Sequence, residues 1–265
     1  MKRYFSNIHI WLSVFFLLGC RQNSIDNTNS PEVIDFLQQI GNYHKVYLSE
    51  YISDMEYIPL ETGDNCLIGD GVSKNNVFVT KSHIFIAAQE YCYAFGRDGK
   101  FITEIGRRGQ GPGEYTIIAG TIGIFVDEKK QSLYMGILPS SILEYSWNGA
   151  FRRSIKLPVN THKQSPDGVF FVRDSLFIGH NSNYSGKEDY HFFLFDTSGN
   201  IVKTFDNHVK IARSQMSWNG NERSIKPIRA SDGIYVKEIP NDTLFCLNEQ
   251  DELIPKYVFN LGKYA

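Results

Sequence analysis

The chain has 265 residues, 42% of them apolar and 14% aromatic, which is ample for one or two packed domains. Its formal charge is −2 with acidic and basic side chains interspersed, which excludes the basic footprint of a nucleic-acid binder or of a protein held on anionic lipid by charge. Aromatic and β-branched residues dominate the apolar set, favouring strands over helices.

Residues 1–19 read as an export signal. Lys2 and Arg3 supply a positive start, Ile8 to Leu18 an apolar run too short to span a bilayer comfortably, and Leu17-Leu18-Gly19-Cys20 closes it. The ending resembles the lipobox of bacterial lipoproteins, which implies a lipid anchor on Cys20. The alternative is an ordinary signal peptide followed by an unrelated Cys. Residues 20–42 then read as a tether, polar from Arg21 to Ser30, and residues 43–265 as the folded domain. Arg21-Gln22-Asn23-Ser24 lacks the acidic run that marks surface export in some Bacteroidetes lipoproteins, so a periplasm-facing position in the outer membrane is expected over the cell surface.

After the tether, Pro31 to Gln39 reads as a short helical turn, and Val46-Tyr47-Leu48 and Tyr57-Ile58-Pro59-Leu60 as strands. A period follows. The turn Asp98-Gly99-Lys100-Phe101 recurs as Asn148-Gly149-Ala150-Phe151 and Ser198-Gly199-Asn200-Ile201, with the glycines 50 residues apart both times. Gln250-Asp251-Glu252-Leu253 is a degraded fourth copy. Asn-Gly and Asp-Gly are strong hairpin signals because both central positions accept positive φ. Phe95, Tyr145, Phe195 and Leu247 stand four residues before the glycine position, and apolar triplets lie upstream, Ile84-Phe85-Ile86 and Leu133-Tyr134-Met135 among them. First strands fall at Val77-Phe78-Val79, Ile124-Phe125-Val126, Phe170-Phe171-Val172 and Pro227-Ile228-Arg229.

Four short strands joined by tight turns at this period make a β-propeller blade. Packing blade on blade hides both apolar faces of each small sheet. The fold is therefore expected to be all-β, a propeller with about four blades present. A β-sandwich with regular hairpins is the alternative, but it gives no reason for turn, aromatic and spacing to recur together.

Ser53 to Leu60 resembles a fourth strand such as Arg153 to Pro158, yet three partner strands do not precede it. Either the ring closes imperfectly or the sequence is a truncated form lacking about two blades, on the order of 100 residues at this repeat length. Truncation is the preferred expectation, because an open fan leaves strand edges and an apolar blade face exposed.

Between the first two units runs Ile105-Gly106-Arg107-Arg108-Gly109-Gln110-Gly111-Pro112-Gly113-Glu114-Tyr115, too rich in Gly and Pro for a helix or a central strand. Followed by Gly123 to Asp127 and Leu133-Tyr134, it resembles the NHL-type propeller repeat. With the lipobox, Ser53-Asp54 and Tyr57 to Thr62, the whole mature chain is similar to the six-bladed β-propeller lipoproteins common in Bacteroides and relatives. That resemblance implies a fold and an address without a substrate.

As chemistry, the connector fails the P-loop test, since Pro112-Gly113 stand where Lys and Ser or Thr are needed, and it fails the dinucleotide test at Glu114. Gly106, Gly109, Gly111, Pro112 and Gly113 read as structural, and Arg107, Arg108 and Glu114 as solvated or connector-bonding side chains. A second reading makes Arg107 and Arg108 an anion-recognition pair. His44, His83, His162, His180, His191 and His208 are scattered without an HExxH pair, so no metal or other cofactor is expected. His180 and His191 flank an insertion, residues 181–188, which reads either as a loop lining a binding face or as a solvated loop. Trp147 and Trp218 read as sugar platforms or as packing between blades. Cys66 and Cys92 could form a bridge in an oxidising compartment, but buried free thiols are expected at Cys66, Cys92 and Cys246.

The function expected from sequence is a membrane-anchored binding or scaffold module for a peptide, glycan or protein. The alternative is a metal-dependent lyase or hydrolase, for which NHL-like propellers offer a precedent. It is disfavoured because Asp127 is the lone ligand type at its position, where Thr80 and Arg173 stand in the neighbouring units.

Overall fold

The structure is a computed structural model that describes residues 30–69, 72, 76–120, 122–159, 165–182, 188–207, 227–237 and 241–262. The expected all-β architecture is present: four small antiparallel sheets arranged as the blades of a propeller. Blade 1 is β2 (Val77–Val79), β3 (His83–Ala87), β4 (Cys92–Gly96) and β5 (Phe101–Glu104). Blade 2 is β6 (Ile124–Asp127), β7 (Ser132–Ile137), β8 (Ser141–Ser146) and β9 (Phe151–Lys156). Blade 3 is β10 (Gly168–Arg173), β11 (Leu176–His180), β12 (Tyr190–Asp196) and β13 (Ile201–Asp206). Blade 4 is β14 (Ile228–Ala230), β15 (Gly233–Lys237), β16 (Thr243–Leu247) and β17 (Leu253–Asn260), with β1 (Glu32–Asp35) added parallel to β17 as a fifth strand. Among the described residues no helix is long and apolar enough to cross a membrane.

The third-to-fourth hairpins repeat closely. Gly99, Gly149 and Gly199 take φ of +79°, +85° and +81°, and Asp251 takes +61° in the degraded copy. In each, the N–H of this residue donates to the carbonyl three residues back, at Gly96, Ser146, Asp196 and Asn248. The first central residues, Asp98 and Asn148, do not have positive φ. The turns are therefore a type I bend followed by a left-handed bulge residue, and not the doubly left-handed turn expected from sequence. Beyond the turn each hairpin carries a further register shift, between Ala94 and Phe95, Glu144 and Tyr145, Leu194 and Phe195, and Leu244 and Phe245, a second irregularity in the ladder.

Alternation along each strand sends side chains to two faces, and both are buried between blades. Phe85, Ala94, Leu133, Met135, Tyr145 and Trp147 join blades 1 and 2. Tyr134, Ile155, Leu157, Phe171, Phe177 and Phe195 join blades 2 and 3. Val172, Ile178, Leu194, Ile234, Val236 and Leu247 join blades 3 and 4. Each large aliphatic or aromatic side chain so buried contributes about 1.5–3 kcal/mol. The outer face of blade 1, Ile84, Ile86 and Phe95, is covered by Ile58, Leu60, Cys66 and Ile68.

Three expectations need correction. Residues 32–35, within the stretch read as tether and as a helical turn, form β1, and only Leu37–Gln39 make a 3-10 turn. Residues 46–48 form no strand, and Leu48–Glu50 is a 3-10 turn. Residues 57–60 join no sheet among the described residues. Cys66, Cys92 and Cys246 are buried free thiols, so the Cys66–Cys92 bridge does not form.

Candidate functional site

Antiparallel meanders sort a blade's connections between two faces. The first-to-second and third-to-fourth turns, such as residues 128–131 and 147–150, lie on one face and are short. The second-to-third loops and the crossings between blades lie on the other. That face collects the longest segments, and with them Arg107, Arg108, Glu114, His180 and His191.

The Gly-rich connector closes on itself. Glu114 is its hub: its carboxylate accepts from the Gly111 N–H at 2.8 Å and pairs with Arg107 Nε at 2.6 Å. The Gly111 N–H first, then Arg107, hold this carboxyl below its ordinary pKa. A side chain at Gly109 would run into that carboxylate, which explains the glycine. Gly109 N–H donates to the Tyr115 carbonyl and Tyr115 N–H to the Arg107 carbonyl, making a short ladder. Pro112 is exposed at the tip, and the Tyr145 hydroxyl donates to the Gly113 carbonyl at 2.9 Å. Gly106, with φ +68°, lies against the Tyr145 ring. Arg108 pairs with Glu90 in the second-to-third loop of blade 1, also at 2.6 Å. Both arginines thus have acidic partners, an arrangement that fits a connector brace better than an open anion clamp.

His180 and His191 are brought together. They end β11 and begin β12, with ring centroids 6.4 Å apart, and both are buried. The base of the inserted loop is pinned around them: Asp167 N–H donates to the His180 carbonyl, Asn181 N–H to the His191 carbonyl, and Ser182 N–H to the Asp167 carboxylate at 2.7 Å. Asn207 adds two bonds, from its backbone to Asp189 and from its side chain to the Glu188 carbonyl, both at 2.8 Å. Burial pushes the His180 pKa down to about 4, against a smaller upward pull from Asp167, so the ring is neutral at pH 7. Its Nδ1 is buried without a hydrogen-bond partner among the described residues. A cavity of about 260 Å³ opens beside His191 between the outer parts of blades 3 and 4, lined also by Thr204, Asp206, Asn241 and Phe245.

Asn181, Glu188 and Asn207 are buried polar residues of this cluster that the sequence reading did not single out. The legible signal was polar residues abutting apolar strand ends. Asp127 caps the β6–β7 turn by accepting from Lys130 N–H, as Thr80 does from His83 N–H one blade earlier. Among the described residues no group of three His, Cys, Asp or Glu side chains is placed to hold a metal. Trp147 packs its ring on Phe85 and His83 between blades 1 and 2, which accounts for it as interblade packing. Cys20, His162, His208, Trp218 and most of the 181–188 insertion lie outside the described residues.

A protein from Bacteroides fragilis NCTC 9343, described as exported, has a similar crystal structure with a TM-score of 0.63 and 18% identity over 87% of this chain. The chain spans 60% of that structure's length. A DUF4221 family member from Bacteroides vulgatus gives a TM-score of 0.41 at 10% identity, covering 74% of this chain and 62% of that one. A streptogramin B lyase gives 0.44 at 13% identity, covering 72% and 55%. No curated protein matches the sequence. Residues 31–265 match the domain of unknown function DUF4934, and the chain belongs to that family.

Proposed function

We propose that this protein is a lipid-anchored cell-envelope propeller whose connector face binds or scaffolds a peptide, glycan or protein partner. The observation that carries the reading is the His180–His191 cluster: buried polar residues at the two ends of the inserted segment 181–188, on the connector face. Polar groups withdrawn from water are costly unless hydrogen-bonded, and here hydrogen bonds tie Asn181, Ser182 and Glu188, the described ends of the insertion, on the connector face. The lipobox at Cys20 supports anchoring, and the sequence after it supports a periplasm-facing position. The six-bladed, NHL-like reading is supported by residues 57–60, which occupy an outer-strand position with no inner strands of their own among the described residues.

Two measurements test it. Cys20→Ala should abolish palmitate labelling and move the protein from the membrane fraction to the soluble one; a variant still in the membrane removes the anchor. Peptide and glycan arrays probed with the purified protein should give ligands lost on charge reversal of the connector face, Arg108→Glu with Asp189→Lys. Ligands that bind this double variant unchanged would place recognition elsewhere.

A further inference from the structure

The cavity beside His191 has a chemistry of its own. It lies between the outer strands of blades 3 and 4 and holds about 260 Å³. Asn207 stands in blade 3 where Leu157 stands in blade 2: the backbone N–H of each donates to the residue just before its third strand, Asp189 at 2.8 Å and Ser140 at 3.4 Å. Leu157 is buried in the contact between blades 2 and 3. Asn207 turns its side chain to the Glu188 carbonyl instead, and between blades 3 and 4 space is left.

Two kinds of surface meet in that space. Phe192, Phe205, Phe245 and Leu253 make an apolar wall, and Thr204, Asp206 and Asn241 bring polar groups to it. Asp206 closes β13 and Asn241 stands just before β16, both at the connector face. The Asn241 Oδ1 accepts from the Thr243 N–H at 2.8 Å, which leaves its two side-chain N–H groups to donate. Those N–H groups, the Thr204 hydroxyl and the Asp206 carboxylate make no hydrogen bond among the described residues. Donors and acceptors therefore stand side by side next to aromatic rings. Charge narrows the ligand. The Asp206 carboxylate opposes an anion, while Lys203 Nζ, 5.5 Å over the Phe205 ring, and Lys237 Nζ, bonded to the Asn241 carbonyl, oppose a cation.

We propose that this cavity binds one neutral pyranose unit of a glycan, its C–H face on the phenylalanine wall and its hydroxyls on Asp206, Thr204 and Asn241. Each sugar hydroxyl both donates and accepts, which matches the mixed polar set, and the slightly positive C–H groups of the ring suit the negative face of an aromatic side chain. The volume lies below the about 300–1,000 Å³ of pockets for drug-sized ligands, so it suits one ring and not an oligosaccharide. The assignment rests on the connector-face reading for the kind of partner and names the sugar end as the part that is held.

Calorimetric titration of the full chain, in a detergent without a sugar headgroup, tests this with the methyl glycosides of glucose, galactose and mannose and with glucuronate and glucosamine as charged counterparts. At least one methyl glycoside should bind with Kd of about 1 mM or tighter, and both charged sugars at least about tenfold more weakly. Thr204 and Asp206 are exposed, so changing them spares the fold. Thr204→Tyr, which fills the cavity, should remove binding, and Asp206→Ala should weaken it by about tenfold. Ser154→Tyr, at the matching position of blade 2, should change nothing. No heat from any methyl glycoside at about 10 mM, equal binding of a charged sugar, or unaltered affinity in either cavity variant would each overturn the assignment. If the glycosides fail while array ligands are still lost on charge reversal of the connector face, the cavity assignment falls and the recognition reading stands. Glycosides lost in Thr204→Tyr alongside array ligands indifferent to that charge reversal would keep the cavity as a sugar site and remove the reading of the wider face.

Discussion

The Pro59 carbonyl oxygen lies against the α-carbon of Gly99, where any side chain would collide with it. The contact recurs one blade on, with Glu104 O 2.8 Å from where a Gly149 Cβ would stand, and again between Lys156 O and Gly199. Glu104 and Lys156 end the outer strands β5 and β9, each facing the turn of the following blade. Residues 57–60 therefore stand to blade 1 as an outer strand stands to its neighbour, with Ile58 and Leu60 inward as Ile155 and Leu157 are. Glu61 N–H donates to Gly99 O, and Glu56 pairs with Arg97 in the same turn at 2.6 Å.

Gly99→Ala should separate the two. The left-handed φ costs a non-glycine residue roughly 1–2 kcal/mol, and the collision with Pro59 adds to it. A loss of about 2 kcal/mol or more in urea unfolding is expected, with faster proteolysis between residues 53 and 61. Gly63→Ala, which would meet nothing within 4 Å, should change stability by less than about 0.5 kcal/mol. Equal effects from both would show that the segment does not brace the turn.

The sequence made the blades legible because each carries the same turn, aromatic and triplets, and the four sheets fall where those repeats do. What it could not show is contact made across the repeat. β1 is four residues without alternation, identified only by its pairing with β17. The hairpin type was misread because Asp98-Gly99 and Asn148-Gly149 suit two turns, and the register of the following strand selects between them. The polar base under His180 draws Asp167, Asn181, Glu188 and Asn207 from four separate segments, so no local spacing could reveal it. The tie between Glu114 and the connector, by contrast, was legible, since a lone carboxylate among glycines and arginines has few other partners.

Burial of all three thiols makes a chemical prediction. Cys92 is fully enclosed, and burial, with the Glu104 charge second, pushes its thiol well above the ordinary range. In a Cys20→Ala background the native protein should take up no maleimide at pH 8, and three adducts should appear by mass spectrometry in denaturant. Rapid labelling of the native fold, or fewer than three adducts without reductant, would contradict the thiol assignment.

Glu144 is a buried carboxylate in the core of blade 2, held by Arg153 Nε at 2.6 Å, Arg152 at 3.5 Å and the Ser132 hydroxyl at 2.7 Å. Burial pushes its pKa up, but Ser132 and then the two arginines outweigh burial and leave it below the ordinary 4.5. A depressed carboxyl stabilises the fold above the unfolded value and loses that contribution as pH falls through the folded one. Glu144→Gln should cost about 1–3 kcal/mol at pH 7, with the arginines' partial exposure limiting it. Urea midpoints of variant and parent should converge as pH falls below the ordinary carboxylate range; a gap independent of pH would mean that the carboxylate's charge is not what stabilises blade 2.

His180 should produce a separate acid transition at higher pH. Its folded pKa of about 4 lies below the ordinary 6.5, so the unfolded chain binds the proton first. Stability from this group is complete above pH 6.5, declines as pH falls from there to about 4, and is level below. The span corresponds to on the order of 3 kcal/mol. Other groups titrate in the same range, so the informative quantity is the difference between parent and His180→Gln. That difference should narrow by roughly this amount between pH 7 and pH 4. Since His180 directly precedes the inserted segment, cleavage within residues 181–188 should increase over the same range in the parent and show no such pH dependence in the variant. Parallel stability curves would mean that the ring is already solvated in the folded protein, and with that the buried polar cluster at the ends of the insertion would be lost as the support for recognition on this face.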